Sequence, residues 1–97
     1  MNRNEIFASI LDMVSGETEI STTEILSRNK SREVVDARHL FIVLLHDAGF
    51  YPSQIALSFG MTCRSITYAI TNFGNRILCE KILRRNYEKL KKQLGNT

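Results

Sequence analysis

The sequence has few helix-breaking residues and few cysteines. One proline and five glycines in 97 residues leave long segments free to form helices. Two cysteines are too few for a framework of several disulfides. No apolar run approaches the roughly 20 residues that a membrane-spanning helix needs, and the first residues lack the continuous apolar core of a signal peptide. These scarcities disfavour a disulfide-rich secreted scaffold or a membrane protein. They predict a cytoplasmic, all-α domain that does not bind a membrane.

Charge is distributed unevenly along the chain. Residues 1–24 contain one basic residue and five acidic ones, whereas residues 25–97 contain twelve basic residues and five acidic ones. A local excess of positive charge favours a polyanionic partner for the later part of the chain. The alternative is ordinary solvated charge on helix faces.

Apolar residues spaced three and four apart predict three helices in the first half of the chain. The first begins near Asn4 and ends at the segment SGETE. The second is short, and Ser21 and Glu24 before it have the spacing of a capping box. The third is long and broadly apolar, with Ser31 as its predicted cap and Gly49 at its end.

Three more helices are predicted in the second half. Pro52 suits the first turn of the fourth helix, and Gly60 ends it. The fifth begins near Thr62 and continues past Gly74. The sixth follows Cys79, with one apolar face made of Ile82, Leu83, Tyr87, Leu90 and Leu94. The expected fold is therefore one domain, residues 1–97, of about six helices without an internal repeat.

The segment IALSFGMTCRSITYAI has the pattern of a helix-turn-helix. Such a motif needs a small residue where the two helices cross and a residue with positive φ in the turn. Ala56 and Gly60 meet these two requirements. Apolar residues must fill the angle between the helices, and here they are Ile55, Phe59, Met61, Ile66 and Ala69. The pattern predicts a helix-turn-helix at about residues 52–73, with an ordinary helical hairpin as the alternative.

The second helix of this motif has a polar outer face. With Ile66 and Ala69 turned inward, the helical period leaves short hydroxyl residues and an arginine outside. Arg64 has a donor fork that fits the O6 and N7 atoms of guanine in the major groove. Base reading in double-stranded DNA is therefore predicted for Thr62, Cys63, Arg64, Ser65, Thr67 and Tyr68.

These residues and three stretches of sequence resemble a known family. The stretches are EILSRNKSREVVDARHLFIVLLHD, IALSFG and RSITYAI. They are similar to the C-terminal DNA-binding domain of the bacterial chromosomal replication initiator, DnaA, whose helix-turn-helix is of the Trp-repressor-like type. The resemblance covers nearly all of the chain. It implies sequence-specific binding of double-stranded DNA without a cofactor.

The resemblance also implies roles for the basic segment before the long helix. Lys30 corresponds to an arginine that enters the minor groove, and Arg38 to a residue that contacts phosphate. Arg28 and Arg32 flank Lys30 and are predicted to contact the DNA backbone. Solvated surface charge is the alternative for this loop.

The chain departs from the family at the turn. The family has two glycines followed by Arg-Asp-His-Thr-Thr-Val, whereas this chain has one glycine followed by MTCRSI. The sequence also lacks the phosphate-binding motif of an ATPase. The resemblance therefore implies a small regulator of replication or transcription, of the kind carried by phages or mobile elements.

Other functions are less well supported by the sequence. His39 and His46 lie two helical turns apart, which is too far for shared metal ligation, and Cys63 has no nearby histidine. Neither a metal site nor an enzyme is therefore expected. The main alternative is a protein–protein interaction module, favoured if Phe50, Tyr51 and Tyr68 form an exposed patch. Even a DNA-binding chain could require a protein partner or a second copy, since one helix-turn-helix contacts few base pairs.

Overall fold

A computed structural model of the chain describes residues 2–95 and contains six helices in that range. They are α1 (Arg3–Thr18), α2 (Thr22–Ile25), α3 (Arg32–Asp47), α4 (Pro52–Phe59), α5 (Cys63–Arg76) and α6 (Lys81–Gly95). No strand occurs between residues 2 and 95. The predicted all-α class and the six helices are confirmed.

The third helix forms the centre of the molecule. Its side chains from Leu40 to Leu45 are buried, and all five other helices pack against it. Phe41 is fully buried and makes edge-to-face contacts with Phe7 of α1 and Phe59 of α4, at centroid distances of 5.0 and 5.7 Å. A helix that is apolar on most of its surface must be covered by others to be stable in water.

One predicted helix boundary was wrong in detail. α1 is not broken at the start of SGETE but continues through Gly16 to Thr18 inside that segment, because one glycine costs only about 1 kcal/mol inside a helix. Its C-terminal cap is Glu19, which has a φ of 61°. Ser31 is the N-terminal cap residue of α3, as predicted, although its side chain makes no capping hydrogen bond. By contrast, the hydroxyl of Ser21 accepts a hydrogen bond from the Glu24 amide, as the capping pattern predicted.

The apolar face of α6 also differs from the prediction. Leu83 and Leu90 are buried, and Tyr87 and Leu94 pack partly against the core. Ile82 is 78% exposed. Successive residues in a helix are about 100° apart, so Ile82 lies beside the buried stripe rather than on it.

An ion-pair network fixes the end of α5 against α3. The guanidinium of Arg76 donates to Asp36 of α3 at 2.6 Å and to Glu80, just before α6, at 2.7 and 3.1 Å. These bonds raise the pKa of Arg76 and lower the pKa of Glu80. Arg76 lies close in sequence to the basic residues of α6 and has the same charge. Its contacts, however, make it a cross-link between α5, α3 and the start of α6.

The turn between α4 and α5 depends on one glycine. Gly60 has a φ of 64° and ends α4 in the left-handed conformation. A side chain in this conformation costs roughly 1–2 kcal/mol. Gly74 lies inside α5 with open space around it and no positive φ.

We expect these two glycines to respond oppositely to alanine. Gly60→Ala should destabilise the fold by about 1–2 kcal/mol, because the turn keeps its positive φ. Gly74→Ala, the matched control, should stabilise it by about 0.5–1 kcal/mol through helix propensity. Urea unfolding followed by circular dichroism measures both. Equal effects of the same sign would show that the turn is not strained by a β-carbon.

Candidate nucleic-acid interface

Two helices and a three-residue turn form the first part of the candidate site. α4 and α5 pack against each other, and residues 60–62 connect them. Ile55, Ala56, Ile66 and Ala69 are buried, while Phe59 and Met61 pack partly against the core. These are the residues that the sequence pattern assigned to the inner side of a helix-turn-helix. The arrangement leaves one long face of α5 in solvent.

The hydroxyl residues at the start of α5 are engaged within the protein. Thr62 caps the helix: its Oγ1 accepts a hydrogen bond from the Ser65 amide at 3.1 Å and donates to the Ser65 Oγ at 2.9 Å. The hydroxyl of Thr67 donates to the Cys63 carbonyl at 3.0 Å. Each of these oxygens retains acceptor capacity, but the donors of Thr62 and Thr67 are committed within the helix in this conformation.

Arg64 differs from its hydroxyl neighbours. It is exposed in the first turn of α5, and its guanidinium has no hydrogen bond or ion pair within residues 2–95. All five of its N–H donors are therefore available to a partner. Cys63 and Tyr68 are also exposed on this helix. Of the six residues predicted to read bases, Arg64 is the one with a free, planar donor group.

A basic loop lies beside the turn and forms the second part of the candidate site. We define this basic loop as residues 28–32, which contain Arg28, Lys30 and Arg32, all exposed. A β-carbon at Gly60 would lie 3.8 Å from the Nη2 atom of Arg28. The guanidinium of Arg28 thus lies near the turn of the helix-turn-helix. Arg32, at the far end of the loop, approaches Glu80 at 3.8 Å.

Short polar side chains hold this loop in shape. The Ser27 hydroxyl donates to the Glu24 carbonyl at 2.7 Å and accepts from the Asn29 amide at 3.1 Å. The Asn29 side chain accepts from the Ser31 amide at 2.8 Å. Ser and Asn side chains commonly order turns by bonding to amides two residues further on. The loop is therefore an ordered structure with three exposed positive charges.

Arg38 does not lie on the outer surface with the other predicted DNA contacts. Its side chain is 8% exposed. Its Nε atom donates to the Ile25 carbonyl at 2.9 Å, and its Nη2 atom donates to the carbonyls of Asn29 at 3.0 Å and Glu24 at 3.4 Å. Burial lowers the pKa of Arg38. The Nε and Nη2 donors of Arg38 are thus used within the protein, on carbonyls of α2 and of the basic loop.

The burial of Arg38 has a signal in the sequence, but the partners of Arg38 do not. Val34, Arg38, Phe41 and Leu45 follow each other at intervals of four and three. This spacing places Arg38 on the apolar stripe of α3. The carbonyls that it contacts come from α2 and the basic loop, and no local pattern identifies them.

The basic residues of α6 divide into two groups. Lys89 pairs with Glu17 at 3.0 Å, and Lys91 approaches Asp47 at 3.9 Å and donates to the Tyr87 hydroxyl at 3.2 Å. The hydrogen bond to Tyr87 raises the pKa of Lys91. Within residues 2–95, Lys81, Arg85 and Lys92 have no ion pair, and they are exposed. Part of the basic character of α6 thus serves packing between helices.

The exposed apolar patch that would favour a protein partner is only partly present. Phe50 belongs to the core at 9% exposure and so does not contribute to it. Tyr51 and Tyr68 are 66% and 67% exposed, and Leu57 on α4 is 86% exposed. The helix-turn-helix therefore carries individual exposed apolar groups alongside its polar face.

A shallow groove of about 380 Å³ lies elsewhere, between the end of α1, α3 and the start of α6. Its carboxylates include several that already have partners: Asp36 and Glu80 bond to Arg76, and Glu17 pairs with Lys89. Within the described range, no cluster of three or more His, Cys, Asp or Glu side chains has an arrangement suited to a metal ion. None of the helices described is both long and apolar enough to cross a membrane. The polar face of α5 and the basic loop remain the best-developed candidate site.

The fold and this site define a helical domain with a helix-turn-helix and an adjoining basic loop. No protein-family model matches the chain. The chain is similar to the chromosomal replication initiator protein DnaA of Leptospira biflexa serovar Patoc, in two strains, with 28% identity over 72 residues. The matched segment covers 73% of this chain but only 16% of those relatives. The resemblance to DnaA that the sequence motifs predicted is confirmed at this level.

His39, the residue after Arg38 on α3, has a buried ring nitrogen. His39 is partly buried, and its Nδ1 atom is buried without a hydrogen-bond partner in the described part of the chain. Burial lowers the pKa of His39, and the positive charges of Arg76 and Arg38 lower it further, whereas Asp36 opposes them. The folded protein therefore favours neutral His39.

We expect this histidine to make stability depend on pH. A group whose pKa is lower in the folded state contributes stability above its unfolded pKa, near 6.5, and loses that contribution as pH falls. The free energy of unfolding should decrease between about pH 7 and 5.5, by at most ~1.4 kcal/mol per pH unit for one proton. His39→Gln should flatten this decrease, and His46→Gln, at an exposed histidine, should not. Urea unfolding at a series of pH values measures it; identical profiles for all three proteins would contradict the assignment.

Proposed function

We propose that this chain binds double-stranded DNA sequence-specifically, with α5 in the major groove and the basic loop along the adjacent backbone or minor groove. The observation that carries the proposal is the proximity of the Arg28 guanidinium to the turn at Gly60, where its Nη2 atom lies 3.8 Å from the position that a β-carbon would occupy, so that the basic loop lies beside the helix-turn-helix. Free positive charge beside an exposed polar helix is the arrangement expected for phosphate gripping combined with base reading. The similarity to a chromosomal replication initiator supports the same conclusion.

The candidate residues have different roles in this proposal. Arg64 reads a guanine through its donor fork, because it is exposed and has no partner within the described residues. Thr62, Cys63, Ser65, Thr67 and Tyr68 surround it and supply acceptor or apolar contacts to neighbouring bases. Arg28, Lys30 and Arg32 contact phosphate, and Lys30 also fits an A·T-rich minor groove, whose negative potential attracts a cation.

At the level of biology, we propose a small DnaA-like regulator of replication or transcription that works in the cytoplasm as a single DNA-binding domain, residues 1–97. It requires no cofactor and catalyses no reaction in this proposal. The changed turn, with one glycine and MTCRSI, supports a target sequence different from the initiator's own site. Selection from random duplexes followed by sequencing identifies that target.

A protein-docking function is the second candidate. The exposed Leu57, Tyr51 and Tyr68 on or beside the helix-turn-helix favour it, because large apolar groups are common in protein interfaces. The two functions make opposite predictions for duplex binding at low salt. Absence of any such binding would make protein docking the preferred function.

We expect DNA affinity to depend strongly on salt. If the three bases of the loop and the start of α5 contact roughly three to five phosphates, log K should fall with log[salt] with a slope of about −3 to −4.5. Fluorescence anisotropy with a labelled duplex between about 50 and 300 mM salt measures the slope. A slope near zero would contradict binding through the basic loop.

We expect Arg64→Ala and Lys30→Ala to have different signatures. Arg64→Ala should cost about 1–3 kcal/mol on the selected site, remove preference at one G·C pair and leave binding to random duplex nearly unchanged. Lys30→Ala should weaken specific and random binding together and reduce the salt slope by about one. The measurement is anisotropy with both duplexes at a single salt concentration, after melting curves have shown that each variant is folded. Equal losses on both duplexes for Arg64→Ala would reassign it to phosphate contact.

A further inference from the structure

The buried Arg38 has the geometry of a support for the DNA-binding loop. Its guanidinium contacts three backbone carbonyls that lie nine to fourteen residues away in sequence. Two of them, Glu24 and Ile25, belong to the end of α2, and the third, Asn29, belongs to the basic loop. One side chain on the central helix thus ties together the short helix and the loop that follows it.

The carbonyl of Ile25 at the end of α2 accepts from Arg38, whereas that of Glu24 also accepts from the amide and the hydroxyl of Ser27. The last four C=O groups of any helix lack intrahelical partners, and α2 has only four residues. A cation is also favoured at the negative end of the backbone dipoles. A buried carbonyl that loses its donor costs about 1–3 kcal/mol, and Ile25 is fully buried, so the end of α2 is held where Arg38 can reach this carbonyl.

The guanidinium makes these contacts with donors on two different nitrogens. Nε points to one carbonyl and Nη2 to two others, so the planar fork is used on two of its nitrogens. A lysine ammonium is a compact point charge and cannot reproduce this spread of donors. A lysine at this position would therefore keep the positive charge of Arg38 but lose the shape of the guanidinium.

We propose that Arg38 is a positioning residue for DNA binding: it fixes the basic loop against the fold, so that Lys30 meets the duplex in a set geometry relative to Arg64 of α5. This inference rests on the proposed function. Its physical basis is preorganisation, since a loop that is ordered before binding loses less conformational entropy when it binds. Arg38 would thus increase affinity without touching DNA.

The first experiment examines the free protein. Arg38→Met keeps most of the buried volume and removes the donors, and Arg38→Lys keeps the charge. We expect both variants to increase amide exchange and lower the NMR order parameters at residues 28–32 relative to the unsubstituted chain. Arg85→Met, which removes an exposed arginine of α6, is the matched control and should leave the loop unchanged. An ordered loop in both Arg38 variants would overturn the proposal, whatever the DNA result.

The second experiment is a pair of double-mutant cycles on the selected duplex at one salt concentration. We expect Arg38→Met alone to weaken binding about five- to twentyfold, and Lys30→Ala alone to weaken it about tenfold. In the Arg38→Met background, Lys30→Ala should weaken binding by less than about threefold. Arg64→Ala should cost about the same factor in the unsubstituted chain and in the Arg38→Met background. A merely destabilised fold would affect both cycles equally. If Arg38→Met unfolds below the assay temperature, Arg38→Lys replaces it in both cycles.

Three outcomes decide between the roles of Arg38. Coupling with Lys30 and independence from Arg64 support positioning. Strict additivity with Lys30, together with full affinity in Arg38→Lys and a salt slope reduced by about one in Arg38→Met, would instead indicate direct phosphate contact. If the unsubstituted chain binds no duplex at all, the proposed function fails and the DNA role of Arg38 fails with it. The exchange measurement still distinguishes this failure from that of the loop support itself.

Discussion

Burial of α3 is the constraint on which the rest of the structure depends. The helix is apolar on most of its circumference, and the remaining helices are arranged around it to cover it. Phe41 shows the consequence, because it contacts Phe7 on one side and Phe59 on the other. The helix-turn-helix is thereby anchored through Phe59 to the same core as α1. A core of this kind provides the rigid support that a recognition helix needs.

Two side chains of α3 also form the contacts that distinguish the charged residues of the molecule. In the first turns of α3, Asp36 accepts a hydrogen bond from Arg76, and this contact fixes the end of α5. Elsewhere on the same helix, Arg38 donates to the carbonyls of α2 and the basic loop. The bases of the loop and Arg64 remain exposed, and these are the ones that contact DNA in the proposed function. Net charge alone does not distinguish these groups, since an arginine contributes the same charge whether it is a cross-link or a surface contact.

The departures from DnaA at the turn fit the local structure. A single glycine is sufficient, since Gly60 alone has positive φ between α4 and α5. Thr62 then provides the helix cap and Ser65 completes it, so two short polar residues of MTCRSI are explained by helix geometry. Cys63 and Arg64 are not needed for the cap and are exposed to solvent. Within MTCRSI, Cys63 and Arg64 are thus exposed residues that the cap does not explain, and both are among the residues that we propose face bases.

The sequence by itself determined the helical class, most helix boundaries and the inner side of the helix-turn-helix, because these follow from local spacing and from single residues such as Pro52 and Gly60. It could not determine the extent of α1, since a weak breaker such as Gly16 yields to packing. Nor could it identify the partners of the buried Arg38, or separate Arg76 from Arg85. Those differences depend on which carbonyl or carboxylate lies opposite each side chain, and partners up to 40 residues away in sequence are brought there only by the tertiary structure.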